Sequence, residues 1–97
     1  MPVVWLAAAV QDVLSIRTFI AKQDPQAAQN IALRIDQAIS LLGTMTNMGR
    51  PGRIFGTREL VISGTSFLAI YRVGNGRVEI LRVFHGRQPI PQSLEKS

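Results

Sequence analysis

The chain has 97 residues, 46% of them hydrophobic and 18% charged, which is the composition of one globular domain and not of a disordered tail. It has no cysteine and a single histidine, so disulfides and thiolate metal sites are excluded, and we expect no metal and no cofactor. The formal net charge of +5 belongs to residues 50–97, because three cations and three acidic residues cancel in residues 1–49. This charge indicates an acidic partner or, alternatively, a solvated basic face that keeps the protein soluble.

The N-terminal residues predict a short strand followed by a helix. The apolar run VVWLAAAV is too short to span a membrane or to act as a typical secretory signal, so we expect a cytoplasmic protein without membrane contact. The stretch from Val3 to Leu6 is β-prone. Apolar residues then recur at helical spacing as far as about Lys22, at Leu6, Val10, Val13, Leu14, Ile16 and Ile20. Because this apolar band is wide, we expect the helix to be covered on two sides.

A second helix is predicted between Asp24 and Gly43. Asp24 can accept hydrogen bonds from the first helical turn, and Pro25 fits the first helical position, where it loses no bond. One apolar stripe follows at steps of three and four residues and comprises Ala28, Ile31, Ala32, Ile35, Ala38, Ile39 and Leu42. Gly43 lies where the helix would end. The short connection between the two helices predicts an antiparallel hairpin.

The second half of the chain predicts a small antiparallel sheet. Residues 43–56 read GTMTNMGRPGRIFG, and their four glycines and one proline predict a loop. The runs RELVI, FLAIYRV and RVEILRVF are rich in β-branched and aromatic residues, and the separators SGTS and GNG are short enough for hairpins. The order β-α-α-β-β-β predicts one α+β domain over residues 1–97, with a flexible tail at residues 92–97. The helix hairpin would cover one sheet face and leave the other open for an arginine-lined groove.

These elements resemble the RelE/ParE superfamily of bacterial toxins, and in particular its ParE-like branch. The resemblance rests on the ordered segments AAAVQDVLSIRTFIA, DPQAAQNIALRIDQAISLL, MGRPGR, REL, FLAIYRV and VEILRVFHGRQ, and it covers nearly the whole chain. It implies the toxin of a type II toxin–antitoxin pair. Such a toxin is neutralised by a co-expressed antitoxin whose C-terminal segment wraps around it, and it meets operator DNA only through that antitoxin.

The resemblance leaves the target open between two activities. Characterised ParE-like members poison DNA gyrase, so the resemblance favours gyrase as the target. It also favours an inhibitor over an enzyme as the class of protein. The first alternative is a RelE-like endonuclease that cuts messenger RNA on the ribosome. The second alternative is a non-toxic basic nucleic-acid-binding module. Fold analogy does not decide among them, so the site residues must.

A metal-independent ribonuclease needs a base for the 2′-hydroxyl, cations for the phosphorane and an acid for the leaving oxygen. RelE-like toxins that cut RNA typically have a middle-strand arginine, and the position matched here falls at about Leu68. The remaining base is His85, followed by glycine in HGR and not by the tyrosine of some relatives. The cations that could bind phosphate beside it are Arg50, Arg58, Arg82 and Arg87. The alternative for His85 is a strand-end residue that hydrogen-bonds the neighbouring loop.

The basic residues also form the candidate partner-binding set. Its members are Arg50, Arg53, Arg58, Arg72, Arg82, His85 and Arg87. Arg50 and Arg53 lie in a glycine-rich loop that either approaches a partner closely or only shapes a turn. The adjacent Arg58 and Glu59 could form an exposed ion pair of little energetic value.

Two of these arginines lie inside apolar strands. Strand alternation groups Arg72 with Leu68 and Ile70, and it groups Arg82 with Val78 and Ile80. Each guanidinium therefore needs a carboxylate, either from an antitoxin or from Glu59 or Glu79. We expect the antitoxin to lay an apolar, acid-containing segment over the helix hairpin or the sheet edge.

The aromatic residues are expected in the core. Trp5 and Tyr71 both lie in predicted strands. We expect no basic surface with interleaved aromatic side chains, which argues against base stacking on a single nucleic-acid strand.

Overall fold

The computed structural model describes residues 1–90, so the predicted flexible tail at residues 92–97 lies outside the described part. The elements are β1 (Val3–Trp5), α1 (Ala7–Ala21), α2 (Pro25–Ser40), β2 (Arg50–Pro51), β3 (Arg58–Val61), β4 (Phe67–Gly74) and β5 (Arg77–His85). A short 3₁₀ turn at Leu41–Gly43 continues α2. The predicted α+β architecture, a helix hairpin on a small sheet, is confirmed.

The second helix begins where the sequence predicts. The Asp24 carboxylate accepts a hydrogen bond of 3.0 Å from the backbone N–H of Ala27, and Pro25 takes the first helical position. The apolar stripe of α2 faces the sheet and buries Ala28, Ile35 and Ile39. Burial of this one stripe is what fixes the rotation of α2 about its axis.

The first helix differs from its prediction, because only Ala9 of α1 is fully buried. Val10, Leu14 and Phe19 are 41%, 50% and 72% exposed. The helix packs against two elements, α2 and β5, as its wide apolar band predicts, but it is covered less completely than expected and leaves large apolar side chains in solvent.

The sheet has five strands in the order β1-β5-β4-β3-β2. Strands β3, β4 and β5 are antiparallel neighbours, as predicted, and β2 adds an antiparallel pair that was not predicted, whereas β1 pairs in parallel with β5 through Val3 and Val78. The sheet is therefore mixed and not purely antiparallel. The two-residue strand β2 lies inside the predicted loop, where Arg50 pairs with Glu59 in register. No short turn connects β1 to its neighbour, so turn chemistry could not reveal that pairing.

Both faces of the sheet are apolar. Ala69 and Tyr71 of β4 point into the main core under the helices. The alternating residues Leu68 and Ile70 form a second cluster on the opposite face with Leu81 and Phe84, and all four are at most 6% exposed. The expectation of an open, arginine-lined groove on this face is wrong, because apolar side chains occupy its centre.

A β-bulge interrupts the alternation of β5. Ile70 pairs with Arg82 and Tyr71 pairs with Ile80, so Leu81 is an extra residue on the bulged strand. The predicted grouping of Arg82 with Ile80 is therefore wrong. Val83 takes the core-facing place after the bulge instead.

Neither helix within residues 1–90 is long and apolar enough to cross a membrane. The same residues contain no group of three or more histidine, aspartate or glutamate side chains placed to hold a metal ion.

Candidate functional site

The first basic cluster surrounds Glu59, whose side chain is almost fully buried. Arg50 Nη2 lies 3.3 Å from Glu59 Oε1, and Arg53 Nε lies 3.1 Å from Oε2. The backbone N–H of Arg53 also donates to Oε2 at 2.9 Å. Burial raises the pKa of the Glu59 carboxyl, but the hydrogen bonds from Arg53 and Arg50 outweigh burial and hold that pKa below its ordinary value. Glu59 is therefore a carboxylate that organises two arginines.

A polar network ties this cluster to the core. Arg58 Nη1 donates to the backbone carbonyl of Gly49 at 2.7 Å. The Gly49 N–H donates to the Tyr71 hydroxyl at 2.9 Å, and that hydroxyl donates to the Thr46 carbonyl at 2.8 Å. The expected exposed pair between Arg58 and Glu59 is therefore wrong, because each has other partners. Tyr71 is a core residue, as predicted. Its hydroxyl fixes the start of the basic loop, which comprises residues 49–59.

The second basic cluster lies at the β4–β5 hairpin. Arg72 Nε lies 2.8 Å from Glu79 Oε1, and Arg77 Nη2 lies 2.7 Å from Oε2. The hydrogen bond from Arg72 lowers the pKa of the Glu79 carboxyl, and Arg77 adds to the effect. The ion pair between Arg72 and Glu79 is one of the alternatives that the sequence left open. Asn75 and Gly76 turn the chain with φ values of 55° and 72°, as the predicted hairpin requires.

Arg82 has a partner that the sequence did not indicate. Its Nε and Nη2 atoms lie 2.7 and 2.8 Å from the two carboxylate oxygens of Asp12 on α1. The Val83 N–H donates to the same carboxylate at 2.9 Å, so Asp12 occupies the edge of β5 beyond the end of β1. The hydrogen bond from Asp12 raises the pKa of Arg82 and outweighs the effect of burial. This bidentate pair joins residues 70 apart in sequence, which no local pattern could predict.

His85 lies at the end of β5 and bonds to the turn that follows. The backbone N–H of Arg87 donates to His85 Nδ1 at 3.2 Å. The backbone N–H of His85 donates to the side-chain Oε1 of Gln88 at 2.8 Å. The imidazole also meets Phe67 edge to face, with the ring centroids 5.8 Å apart. Arg87 itself is exposed, so its backbone and not its guanidinium contacts the histidine.

A groove of about 460 Å³ separates α1 from the end of β5. Ile16, Phe19 and Ile20 form its helical wall, and Phe67 and His85 form the opposite wall. The groove is mainly apolar and places His85 beside the exposed ring of Phe19. Its shape suits an inserted apolar side chain better than a phosphate.

The sequence-predicted residues thus occupy three separate places. Arg50, Arg53 and Arg58 lie together on the β2–β3 side, Arg72 lies at the hairpin, and Arg82, His85 and Arg87 lie along the end of β5. At the position matched to a middle-strand arginine, Leu68 is 3% exposed within the second apolar cluster. The site offers paired cations without a converged acid–base set.

The sequence interpretation also missed Phe55, whose relative exposure of 102% makes it fully exposed between Arg53 and Arg58 in the chain. The prediction that no aromatic side chain interleaves with the basic surface is therefore wrong. The residues RIFGTR contain the pattern, but sequence alone does not distinguish an exposed phenylalanine from a buried one.

A helix hairpin on a mixed five-stranded sheet is the fold of the toxins in the RelE/ParE superfamily. The chain belongs to the family of ParE toxins of the type II toxin–antitoxin system parDE, because the model of that family matches residues 3–90. The resemblance inferred from the ordered sequence segments is thereby confirmed.

Two curated relatives and two solved structures are similar to the chain. Y4kP of Sinorhizobium fredii, itself a candidate toxin, is 40% identical over 90 residues, which is 93% of each chain. Toxin RelE2 of Caulobacter vibrioides is 36% identical over 83 residues, covering 86% of this chain and 92% of the relative. A chain of the chromosomal ParDE toxin–antitoxin system from P. aeruginosa superposes with a TM-score of 0.83 at 26% identity, covering 88% of this chain and 95% of that one. A chain of the RelBE2 toxin–antitoxin complex from Mycobacterium tuberculosis shares the fold at 22% identity and a TM-score of 0.55, with 87% and 88% covered.

Proposed function

We propose that the chain inhibits growth in the bacterial cytoplasm by poisoning DNA gyrase, and that a cognate antitoxin neutralises it. Membership of the ParE toxin family supports the toxin role. The similarity to a chain of a ParDE toxin–antitoxin system supports an antitoxin partner. The choice of gyrase over messenger RNA rests on the surroundings of His85.

The hydrogen-bonding state of His85 opposes a role as general base. Nδ1 accepts a hydrogen bond from the Arg87 N–H at 3.2 Å, so its lone pair is already engaged. A general base must offer a free lone pair to the 2′-hydroxyl proton, and Nδ1 does not offer one in this arrangement. His85 is therefore suited to fixing the 86–88 turn and lining the groove, not to starting RNA cleavage.

The arrangement of the cations supports the same conclusion. Arg82 uses its Nε–H and one Nη2–H to bind Asp12, so these two groups are not available to a phosphate. The arginines around Glu59 lie towards the opposite edge of the sheet. A phosphorane needs cations that converge on one point beside the base. Leu68 gives the middle strand an apolar side chain where such a cation would lie.

The proposed target is tested with purified gyrase and relaxed plasmid. We expect the chain to inhibit supercoiling or to stabilise gyrase–DNA breaks, and we expect induced cells to show DNA damage and filamentation. A matched reaction containing the antitoxin should restore supercoiling. Unchanged supercoiling at toxin concentrations that stop growth would remove gyrase from the proposal.

For the antitoxin, the proposed binding surface is the groove between α1 and β5. It presents the exposed ring of Phe19 next to partly buried Ile16 and Ile20, so an apolar side chain that enters would bury existing apolar surface. An antitoxin segment with an apolar residue here would cover the part of α1 that the domain itself leaves exposed. Co-purification should give a complex that resists moderate salt, since burial of apolar surface is not screened by ions.

A further inference from the structure

Phe55 is the most exposed large apolar side chain among the described residues. It lies at the tip of the loop formed by residues 52–57, between Arg53 and Arg58 in sequence. Burying an aromatic ring removes a large apolar area from water, so an aromatic ring held wholly in solvent forgoes that stabilisation. A contact outside the domain would recover it.

Backbone hydrogen bonds close the loop and place Phe55 at its tip. The Gly52 N–H donates to the Thr57 carbonyl at 2.8 Å, and the Thr57 N–H donates to the Ile54 carbonyl at 3.1 Å. Gly56 has a φ of +83°, which gives a type II turn with Phe55 at its second position. A Cβ atom on Gly52 would collide with Thr57, so the close crossing at the loop base requires glycine. The tip is thus ordered by backbone bonds and not by burial of its aromatic ring.

The surroundings of Phe55 are positively charged. Residues 50–59 contain three arginines and one glutamate, so Glu59 balances only one of the three cations. The side chains of Arg50 and Arg53 remain 60% and 47% exposed while they contact Glu59. Each guanidinium has five N–H donors, and the contacts with Glu59 use one side-chain nitrogen of each. Both can therefore bind an anion without leaving the buried carboxylate.

We propose that this loop binds a strand of nucleic acid, with Phe55 stacking on an unstacked base and Arg50 and Arg53 contacting the adjacent phosphates. An exposed aromatic ring beside paired arginines matches a polyanion that also presents flat π faces. An apolar pocket on a protein would satisfy Phe55 alone and would leave the surplus cationic charge without partners. The inference does not depend on gyrase being the target of the toxin.

The test measures fluorescence anisotropy of labelled oligonucleotides of about 12 nucleotides with the full-length chain, over roughly 50 to 200 mM salt. The probes are single-stranded DNA, single-stranded RNA of the same sequence and the blunt DNA duplex. We expect Phe55→Ala to weaken single-strand binding by about 5- to 150-fold, the factor for losing one stacked base. Phe55→Trp should retain binding, and its added tryptophan emission should be quenched by the probe. Leu33→Ala, which removes an exposed apolar side chain from α2, is the matched control and should bind normally.

Salt dependence separates stacking from phosphate contact. Arg50→Gln should reduce the slope of log affinity against log salt by about 0.7, while Phe55→Ala should leave that slope unchanged. Tighter binding to one of the two single strands would support the proposal and identify DNA or RNA as the natural source. The proposal is overturned if the wild type binds none of the probes at the lowest salt, or if Phe55→Ala binds as well as wild type. Loss of growth inhibition in Phe55→Ala with unchanged oligonucleotide binding would likewise overturn it and assign Phe55 to a protein pocket.

Discussion

The outer side of α1 and the basic loop of residues 49–59 expose side chains for opposite reasons. On α1, Leu14 and Phe19 remain in solvent because no helix or strand within residues 1–90 covers them. In the loop, Arg50 and Arg53 are held in place by the buried carboxylate of Glu59. One surface is apolar and needs a cover, whereas the other is cationic and already organised. This difference is the basis of the two separate proposals, an antitoxin at α1 and a nucleic-acid strand at the loop.

The largest effect on this comparison is expected from Glu59→Ala. Removing the carboxylate leaves the backbone N–H of Arg53 without its acceptor and two guanidinium groups without their buried partner. Because both guanidinium groups are about half exposed and can be solvated, the expected loss is that of hydrogen bonds to a charged group, about 1.5 to 3 kcal/mol. Chemical denaturation of the purified chain should show this loss in the free energy of unfolding. Glu79→Ala at the hairpin is the matched control, because the Glu79 carboxylate also pairs with two arginines but accepts no backbone N–H within residues 1–90, and an equal loss there would show that the bond from the Arg53 N–H is not decisive.

Phe19→Asp should break the opposite surface. A charge in the groove between α1 and β5 should weaken antitoxin binding by about 30-fold or more, corresponding to loss of a contact worth about 2 kcal/mol. Titration calorimetry with the antitoxin provides the measurement, and toxicity in its absence should persist. Leu33→Asp on α2 is the control, since its side chain lies away from the groove. Equal weakening by both variants would argue against a defined groove.

Tyr71→Phe sharpens the comparison by loosening the loop without changing its charges. The hydroxyl accepts from the Gly49 N–H and donates to the Thr46 carbonyl, so its removal leaves two backbone groups unsatisfied. We expect a loss of about 1 to 3 kcal/mol in the free energy of unfolding. Amide hydrogen exchange should increase at residues 46–53 and stay unchanged in α1. Uniform acceleration across both regions would contradict local anchoring.

Acid should affect the basic loop with the smallest and most gradual change. The pKa of the Glu59 carboxyl is lowered in the folded chain from its ordinary value of 4.5, so its ion pairs stabilise the fold fully above that value. The contribution is lost as pH falls through the lowered pKa. The thermal unfolding temperature of wild type should therefore fall below pH 4.5, and Glu59→Gln should reduce this pH dependence. A pH profile unchanged by Glu59→Gln would contradict the role of the carboxylate.

Local chemistry made most of the fold predictable. Asp24 and Pro25 mark the start of α2, and Asn75 with Gly76 marks the hairpin, because each satisfies a backbone requirement within a few residues. The parallel pairing of β1 with β5 and the bulge at Leu81 depend on contacts distant in sequence. Periodicity along one strand contains no information about such contacts.

The candidate site was less predictable than the fold. The arginines were identified and the pair of Arg72 with Glu79 was among the alternatives, but the partner of Arg82 was missed, since Asp12 meets Arg82 only when α1 lies along β5. In the sequence Arg50 and Arg53 look like surface residues that can be replaced without harm to the fold. Replacing both by alanine would instead leave the buried Glu59 carboxylate unpaired and would not leave the fold intact.

The proposal for His85 is that it fixes a turn in a toxin that does not cut RNA. It is tested most directly by incubating the purified chain with programmed ribosomes and mapping messenger RNA ends by primer extension. We predict no codon-position-specific cuts. We also predict that His85→Ala keeps gyrase inhibition within a few-fold of wild type, whereas loss of a general base would lower a cleavage rate by about a hundredfold or more. Cuts that appear with wild type and vanish in His85→Ala, with gyrase unaffected, would contradict the account.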